Sequence, residues 1–507
     1  MDLAVRLFLS ARGRFFQQRS VLPNDTTRQE GNGMKKVDCI VAAPHFLTME
    51  GEGVGYRAQH AMAIDRGKIV GMAPRDAIFK DYRADRVIDN AARVVLPGFI
   101  DAHMHTGEAV LRGLAQDTGH WMMYGLGPFE EQLTPEDRVA GAQLALLEAV
   151  RAGTTTFSEF SRRPDHLCDI FRRAGVRANF TVTIREAVDR IYAPGELYDF
   201  DPSLGEKSLA TCLDFFHRYH ETENGRFTVM FGPQAADFVS EKLLLSVKAA
   251  AVAAGTKIHM HVQQGDRETY QLVKRCGLRP IAYLDRIGYL DEQLVAVHLT
   301  DADDAEAALV AQRGAAMVVC SGSIGIIDGI VPPVKPFQEA GGLAALGSDQ
   351  APGNNNHNIF NEMKLTALFN KIRSRDPEIM PAWKVLRMAT IEGATVLGLD
   401  HKIGSLAEGK QADFISVDLA TPTMMPVYDQ PMRNIVPNLV YSARGNEVRL
   451  VAVDGQILFE DDQFHTLDEN AIIAVNQQAA DRLGREAQAE FQRIDGTNAR
   501  FMREEKL

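Results

Sequence analysis

Short apolar runs alternate with longer amphipathic stretches through the middle of the chain. Stretches with apolar residues spaced three or four apart, such as those from Pro135 and Ser240, predict helices between the runs. Eight such repeats over roughly 300 residues favour an α/β fold of the (β/α)8 barrel type over an open doubly wound sheet, and no phosphate-binding GxGxxG follows the first strand. The predicted strands are PGFIDAHMH from Pro97, TTTFSEF from Thr154, RANFTVTI from Arg177, RFTVMFG from Arg226, TKIHMHV from Thr256, LVAVH from Leu294, AMVVC from Ala316 and LAALGSD from Leu343.

Segments near both chain ends have strand-like patterns instead. Examples are KKVDCIVAA from Lys35 and NEVRLVAVDGQILFE from Asn446, with hairpin turns at Asp65-Arg66-Gly67 and Asp454-Gly455. We therefore expect residues 34–96 and 404–460 to form one small composite β-sandwich around a barrel at 97–403. Residues 1–33 are expected to be a disordered leader or an upstream start, with an arginine-rich transit peptide as the alternative. Residues 461–507 are expected to form an exposed helical tail.

Composition narrows the choice of partners and compartment. The net charge of -12 argues against a nucleic acid or an anionic membrane as a partner, and favours a small-molecule substrate. Five scattered cysteines without a CxxC pair predict no disulfides and a reducing compartment, with the cytoplasm as the default. No apolar run approaches the ~20 residues of a membrane span.

Metal-binding residue types cluster at the ends of the predicted strands. His103 and His105 end the first strand and share one face, since side chains in a strand alternate. His261 ends the fifth strand, His298 the sixth and Asp349 the eighth. A single histidine in such a place is usually structural, whereas five competent residues at one barrel mouth predict a metal site. His259 also shares the face of His261, and we expect it to be a buried hydrogen-bonding residue beneath the ligands.

Five motifs in this order resemble the amidohydrolase superfamily, in its atrazine/triazine hydrolase and aminohydrolase subgroup. They are PGFIDAHMH, IHMHVQQ, AVHLTD, LGSDQAPGNNN and IGSLAEGKQADF, and the resemblance extends from about Met34 to Glu460. It implies a distorted TIM barrel with a composite β-sandwich. It also implies one divalent metal ion, with zinc preferred and iron, cobalt or manganese as alternatives. Members of the family are commonly homo-oligomers, so the resemblance implies a possible homo-oligomer. By the resemblance, the ion would be held by His103, His105, His261 and Asp349, with His298 as an additional ligand or a donor to the reacting oxygen.

Two departures from the family pattern remove titratable groups. The subgroup's deaminases usually carry His-x-x-Glu after the fifth strand, where this chain has His261-Val262-Gln263-Gln264. An amide cannot donate and recover a proton at ordinary pH, so Gln264 can orient a substrate but cannot be a general acid. The family's Gly-Pro-His similarly becomes Gly232-Pro233-Gln234. Substitutes for the acid are Asp266, Glu268 and Glu159, although Glu268 is expected on the surface of the following helix.

These features predict a metal-dependent hydrolase acting on a carbon–nitrogen or similar bond of a small neutral compound. Its hydroxide nucleophile would form at the metal, and Asp349 and His298 would carry the protons. A urea, carbamate, thiocarbamate or heteroaryl compound would suit a polar, uncharged pocket, which we assign to Gln116, Trp121, Gln234, Gln264 and His298. The main alternative is an aminohydrolase or chlorohydrolase of a purine-, pterin- or triazine-like ring. A non-catalytic scaffold is the third.

Overall fold

Eight parallel strands form the centre of the computed structural model, which describes residues 33–190, 192–193 and 195–507. Asp349 forms a parallel bridge with Met104, and its backbone N–H donates to the His103 carbonyl at 2.9 Å, so the first and last strands meet. The predicted barrel is confirmed, and the expected leader lies almost entirely outside the described residues. The strands are Phe99–Met104, Thr154–Ser161, Arg177–Ile184, Phe227–Pro233, Ile258–Val262, Leu294–His298, Ala316–Val319 and Ala344–Leu346.

Helices cover the outside of the barrel, and local capping explains several of their ends. Thr134 and Asp137 form a reciprocal capping box at the start of Pro135–Arg151, and Ser240 caps Glu241–Ala254. The latter helix ends at Gly255, which takes the left-handed conformation. The other helices of the barrel are Asp165–Ala174, Pro202–Tyr219, Asp266–Cys276, Pro280–Arg286, Asp304–Gln312, Ser321–Ile327, Val334–Glu339, Ala351–Asn354, Ile359–Ser374, Ala382–Met388 and Ile391–Val396.

A second, mixed sheet is built from both ends of the chain. Its centre is Arg93–Pro97, which runs parallel to Lys35–Leu47 and antiparallel to Phe414–Asp418. Its remaining strands are Tyr56–Asp65, Lys68–Pro74, Tyr82–Asp89, Val448–Val453, Gln456–Glu460 and Gln463–Phe464. The helix Arg75–Asp81 packs on this sheet, whereas Ile435–Tyr441 packs against the barrel helices Ile359–Ser374 and Ala382–Met388. The sheet thus joins segments that are more than 300 residues apart, as the patterns at the two ends predict.

A buried arginine ties the barrel to this sheet. Arg177 begins the third barrel strand, and its side chain is 1% exposed. Its guanidinium donates to Asp413 at 2.8 Å and to Asp454 at 2.6 Å. Because the carboxylates satisfy the buried charge, this contact fixes the amino-terminal end of the barrel against the sheet.

The chain ends in two helices, Glu469–Ile494 and Thr497–Arg503, which we call the C-terminal helix pair. The expectation of an exposed tail is wrong for one face of it, since Ile472, Leu483 and Ala487 are buried. Asn476 also donates to the Ala140 carbonyl of the first long barrel helix at 2.9 Å. None of the described helices is long and apolar enough to cross a membrane. All five cysteines are free thiols.

Candidate metal centre

The five residues predicted at the strand ends converge at the carboxyl end of the barrel. Ligand atoms of His103, His105 and His261 lie within 4.8 Å of one another, and so do those of His103, His298 and Asp349. One carboxylate oxygen of Asp349 lies 3.6 Å from Nε2 of His103 and 3.5 Å from Nε2 of His105. His103 thus belongs to both triplets and joins them into one cluster.

Hydrogen bonds at the outer ring nitrogens orient two of these imidazoles. Nδ1 of His105 donates to the Phe160 carbonyl at 2.8 Å, and Nδ1 of His261 donates to the Gln234 carbonyl at 2.8 Å. Each bond places the proton on Nδ1 and leaves the Nε2 lone pair available for a metal. The two rings are nearly parallel, with 5.6 Å between their centroids.

His103 is oriented by a second histidine rather than by a carbonyl. Its Nδ1 lies 3.0 Å from Nε2 of His259, whose own Nδ1 lies 3.1 Å from the Thr181 hydroxyl. If Nε2 of His103 is to bind a cation, Nδ1 must carry the proton, so His103 donates to His259 and His259 donates to Thr181. His259 therefore has the buried, hydrogen-bonded place expected for it.

The cluster's electrostatics suit a divalent cation. Burial lowers the pKa of His103 to about 4 and that of His298 to about 3, so both imidazoles are neutral. Burial alone would raise the pKa of Asp349, but the neighbouring imidazoles of His103, His298 and His105 hold it well below its usual range. Nε2 of His103 and both ring nitrogens of His298 are buried without a partner among the described residues. Neutral nitrogens and one carboxylate fit a single divalent ion.

Backbone strain marks the same strand ends. His298 has a φ of 78° and Asp349 a φ of 59°, in the left-handed region that non-glycine residues rarely occupy. Such conformations persist where the surrounding structure fixes them, and they concentrate at functional sites. Here they turn the two side chains at the mouth of the barrel.

Two residues of the site have no recognisable signal in the sequence. The Phe160 ring lies 4.6 Å from the His261 ring and 5.8 Å from the His103 ring, so it forms an apolar wall beside the cluster. The Ser323 hydroxyl donates to the second oxygen of Asp349 at 2.6 Å. Phenylalanine and serine are too common in strands and turns to be singled out by residue type.

The residues predicted to bind substrate differ in how firmly they are held. The side chain of Gln264 has no hydrogen-bond partner among the described residues, whereas the side-chain amide of Gln116 donates to the Pro352 carbonyl. Oε1 atoms of Gln116 and Gln234 are buried and unpartnered within the described part of the chain. Trp121 packs in an apolar cluster with Leu111 and its neighbours. The Gln264 side chain can therefore hydrogen-bond a ligand, whereas the Trp121 side chain already packs against apolar neighbours.

The candidate substitutes for the missing acid also differ. Glu268 is fully buried, which contradicts the expected surface position: its carboxylate turns inward and accepts from the Gln264 N–H at 3.1 Å. Burial raises its pKa. Glu159 is buried and accepts from the Thr106 N–H at 2.9 Å, and burial raises its pKa to about 7. Asp266 is exposed in the first turn of its helix.

Comparisons with known proteins agree with this fold and this candidate metal centre, which are typical of a class of barrel hydrolases. The model of the Amidohydrolase family matches residues 94–458. The chain is 32% identical over 458 residues to a 5'-deoxyadenosine deaminase of Methanosarcina mazei, covering 88% of this chain and 98% of that protein. It is 32% identical over 439 residues to a 5-methylthioadenosine/S-adenosylhomocysteine deaminase of Moorella thermoacetica, covering 86% and 96%.

Comparison with solved structures shows the same fold. An adenosine deaminase from Xanthomonas campestris with bound zinc superposes with a TM-score of 0.81 at 27% identity, covering 89% of this chain and 99% of that one. The zinc complex of an atrazine chlorohydrolase from Arthrobacter aurescens has a TM-score of 0.77 at 20% identity, covering 87% and 100%, which shows the shared fold. The chain belongs to the amidohydrolase family. It is an enzyme that hydrolyses carbon–nitrogen bonds other than peptide bonds.

Proposed function

We propose that this enzyme deaminates the purine ring of an adenosine-type nucleoside. The observation that carries the proposal is the cluster of neutral imidazoles and one carboxylate at the barrel mouth, in a chain whose relatives at 32% identity are named as deaminases of 5'-modified adenosines. Those relatives favour aminohydrolysis of a purine-like ring over the hydrolysis of a urea or carbamate, which the sequence motifs alone predict.

His103, His105, His261 and Asp349 would hold the ion, with His298 beside it. A bound divalent ion lowers the pKa of water from 15.7 towards about 7, which supplies the nucleophile at neutral pH. Asp349 would accept a proton from the attacking water, while Ser323 holds its other oxygen in place. His298 would donate a ring N–H to the oxygen that adds to the purine carbon.

The bond changes balance with water as the only co-reactant. The water oxygen forms a bond to the ring carbon that carries the amine, and that carbon–nitrogen bond breaks. One proton of the water ends on the ring nitrogen and the other leaves with the amine as ammonia. Asp349 would move these protons, because Gln264 can hydrogen-bond the ring but cannot titrate.

A panel of substrates tests the proposal in one experiment. Metal-reconstituted enzyme is offered 5'-deoxyadenosine, 5-methylthioadenosine and S-adenosylhomocysteine beside ureas, carbamates, thiocarbamates and chlorotriazines, and ammonia release and ultraviolet absorbance are recorded. We expect turnover of the adenosine compounds, its loss on metal removal, and no turnover by Asp349→Asn with part of the metal retained. Activity on ureas or thiocarbamates with none on the adenosine compounds would overturn the proposal.

A second candidate function rests on one specific observation, the pair of amides at Gln264 and Gln234. A mouth with amides at residues 234 and 264, in place of titratable groups, suits a neutral urea, carbamate, thiocarbamate or activated heteroaryl compound, whose leaving group needs little protonation. The same panel separates this candidate from deamination by which of the offered compounds is turned over.

A further inference from the structure

The segment 106–133, here called the mouth loop, begins directly after His105 and carries Gln116 and Trp121. It includes the short helices Thr106–Leu111, Met122–Leu126 and Gly127–Glu130. It lies between the turn that follows Asp349 on one side and the C-terminal helix pair on the other. The position of any substrate contact from this loop therefore depends on both neighbours.

Two polar contacts attach the loop to the turn after the eighth strand. The Gln116 side-chain amide donates to the Pro352 carbonyl, and the Arg112 guanidinium donates to the Asn355 carbonyl at 3.0 Å. Pro352 and Asn355 follow Asp349 closely in sequence. Their carbonyls thus set the inner face of the loop relative to the metal cluster.

Apolar packing attaches the outer face of the loop to the longer C-terminal helix. Leu483 is 2% exposed and shares an apolar cluster with Leu111 and Leu126, against which Trp121 packs. Further along the same helix, the rings of Phe491 and Phe129 are 5.8 Å apart. The helix therefore supports the loop at both its beginning and its end.

One hydrogen bond from the second C-terminal helix reaches the residue that also contacts Pro352. Nδ2 of Asn498 donates to the Gln116 carbonyl at 3.1 Å. The chain approaches closely here, since a Cβ atom added at Gly496 would lie 3.3 Å from Cβ of Tyr124. Gln116 is consequently held by its backbone from one side and by its side chain from the other.

We infer that Asn498 is a positioning residue, which fixes the mouth loop over the barrel through the Gln116 carbonyl. The C-terminal helix pair thereby forms the outer support of the substrate opening. This inference goes beyond the proposed function, because it concerns the place of the loop and not the identity of the substrate. It predicts that loss of the hydrogen bond weakens substrate binding while the metal cluster stays intact.

The test compares two Asn→Asp variants at equivalent helix positions. Asn498 is the second residue of Thr497–Arg503, and the exposed Asn470 is the second residue of Glu469–Ile494. An aspartate in the first turn of a helix is favourable, so neither change should disrupt its helix. Asn498→Asp removes the amide donor and places a carboxylate beside the Gln116 carbonyl, whereas Asn470→Asp leaves the loop untouched.

Tryptophan fluorescence gives a readout that needs no substrate. The chain has two tryptophans, and Trp383 lies in the helix Ala382–Met388, away from the loop. In a Trp383→Phe background, Trp121 alone reports the packing of the loop. We expect acrylamide to quench Trp121 more strongly in Asn498→Asp than in Asn470→Asp or the parent.

Kinetics on the substrate identified by the panel provide the second readout. Loss of one hydrogen bond predicts a KM about fivefold higher with kcat and metal content close to those of the parent. Asn498→Gln keeps the amide donor and should restore most of the difference. Unchanged quenching in Asn498→Asp would overturn the inference, and so would equal losses in kcat and metal content. If no substrate is found, the quenching result still decides, so failure of the proposed function is distinguishable.

Discussion

Nδ1 of His103 lies 3.0 Å from Nε2 of His259, so one candidate ligand is oriented by another histidine. His259→Ala should leave His103 free to rotate and should lower metal affinity by about 10–100-fold, the usual cost of losing such a partner. Competition titration against a chelator of known affinity measures the change. The exposed His401→Ala is the matched control. Unaltered affinity in His259→Ala would contradict the assignment of His259 as the group that orients His103.

Gln264 is the site at which proton transfer can be restored. If deamination is slowed by the lack of a general acid there, Gln264→Glu should raise kcat on the adenosine substrate by at least about tenfold, since a well-placed acid contributes 10²–10⁴-fold. Stopped-flow absorbance and the pH dependence of kcat record the effect. A Gln478→Glu variant is the control for the change of charge, because Gln478 is exposed on the helix Glu469–Ile494. A slower Gln264→Glu enzyme would argue that Gln264 works as an amide.

Glu268 should make stability depend on pH. Burial raises its folded-state pKa above the usual 4.5, and its Oε1 is buried without a partner within the described chain, where a proton is favoured. The folded state then binds a proton that the unfolded state releases. The stabilisation that this proton provides is therefore complete below a pH of about 4.5 and is lost as the pH rises through the folded-state pKa. The melting temperature should fall less steeply between pH 5 and pH 9 for Glu268→Gln than for the parent. The same pH dependence of the melting temperature in both proteins would mean that Glu268 is ionised in the folded protein.

Arg177 should matter for stability and not for turnover. Arg177→Ala leaves Asp413 and Asp454 without their buried partner, and breaking such a pair typically costs about 3–5 kcal/mol. Urea unfolding measures the loss, and kcat of the remaining folded enzyme should stay near the parent value because Arg177 lies at the opposite end of the barrel. Arg75→Ala breaks an exposed pair with Asp89 and should cost about 1 kcal/mol or less. Equal costs for the two variants would contradict this account.

The cluster of metal-binding residue types at the strand ends could be predicted from two regularities of strands and sheets. Alternation within a strand puts His103 and His105 on one face, and parallel strands gather His261, His298 and Asp349 at one edge. The expected place of His259 beneath His103 follows from the same alternation. Residue type and strand register are enough to predict the candidate ligands and the residue beneath them, and the sequence contains both.

Features set by tertiary packing were not predictable in the same way. Glu268 lies in the first turn of a helix, where a carboxylate is usually solvated, and only the fold turns it towards the Gln264 N–H. The face of the C-terminal helix pair that covers the mouth loop carries alanine and leucine in a polar sequence, so its burial depends on what lies opposite. The leaving group is likewise not fixed by residue type, and relatives named as deaminases were needed to favour aminohydrolysis over urea hydrolysis.

The pairing of Arg93–Pro97 with Phe414–Asp418 has a consequence for biosynthesis. A ribosome must make the whole barrel before the second of these strands emerges, so the first waits with an unpaired edge during translation. Contacts of such long sequence separation form slowly, and exposed edges invite association with other chains. We therefore expect newly made amino-terminal strands to depend on chaperones until the carboxyl-terminal strands arrive.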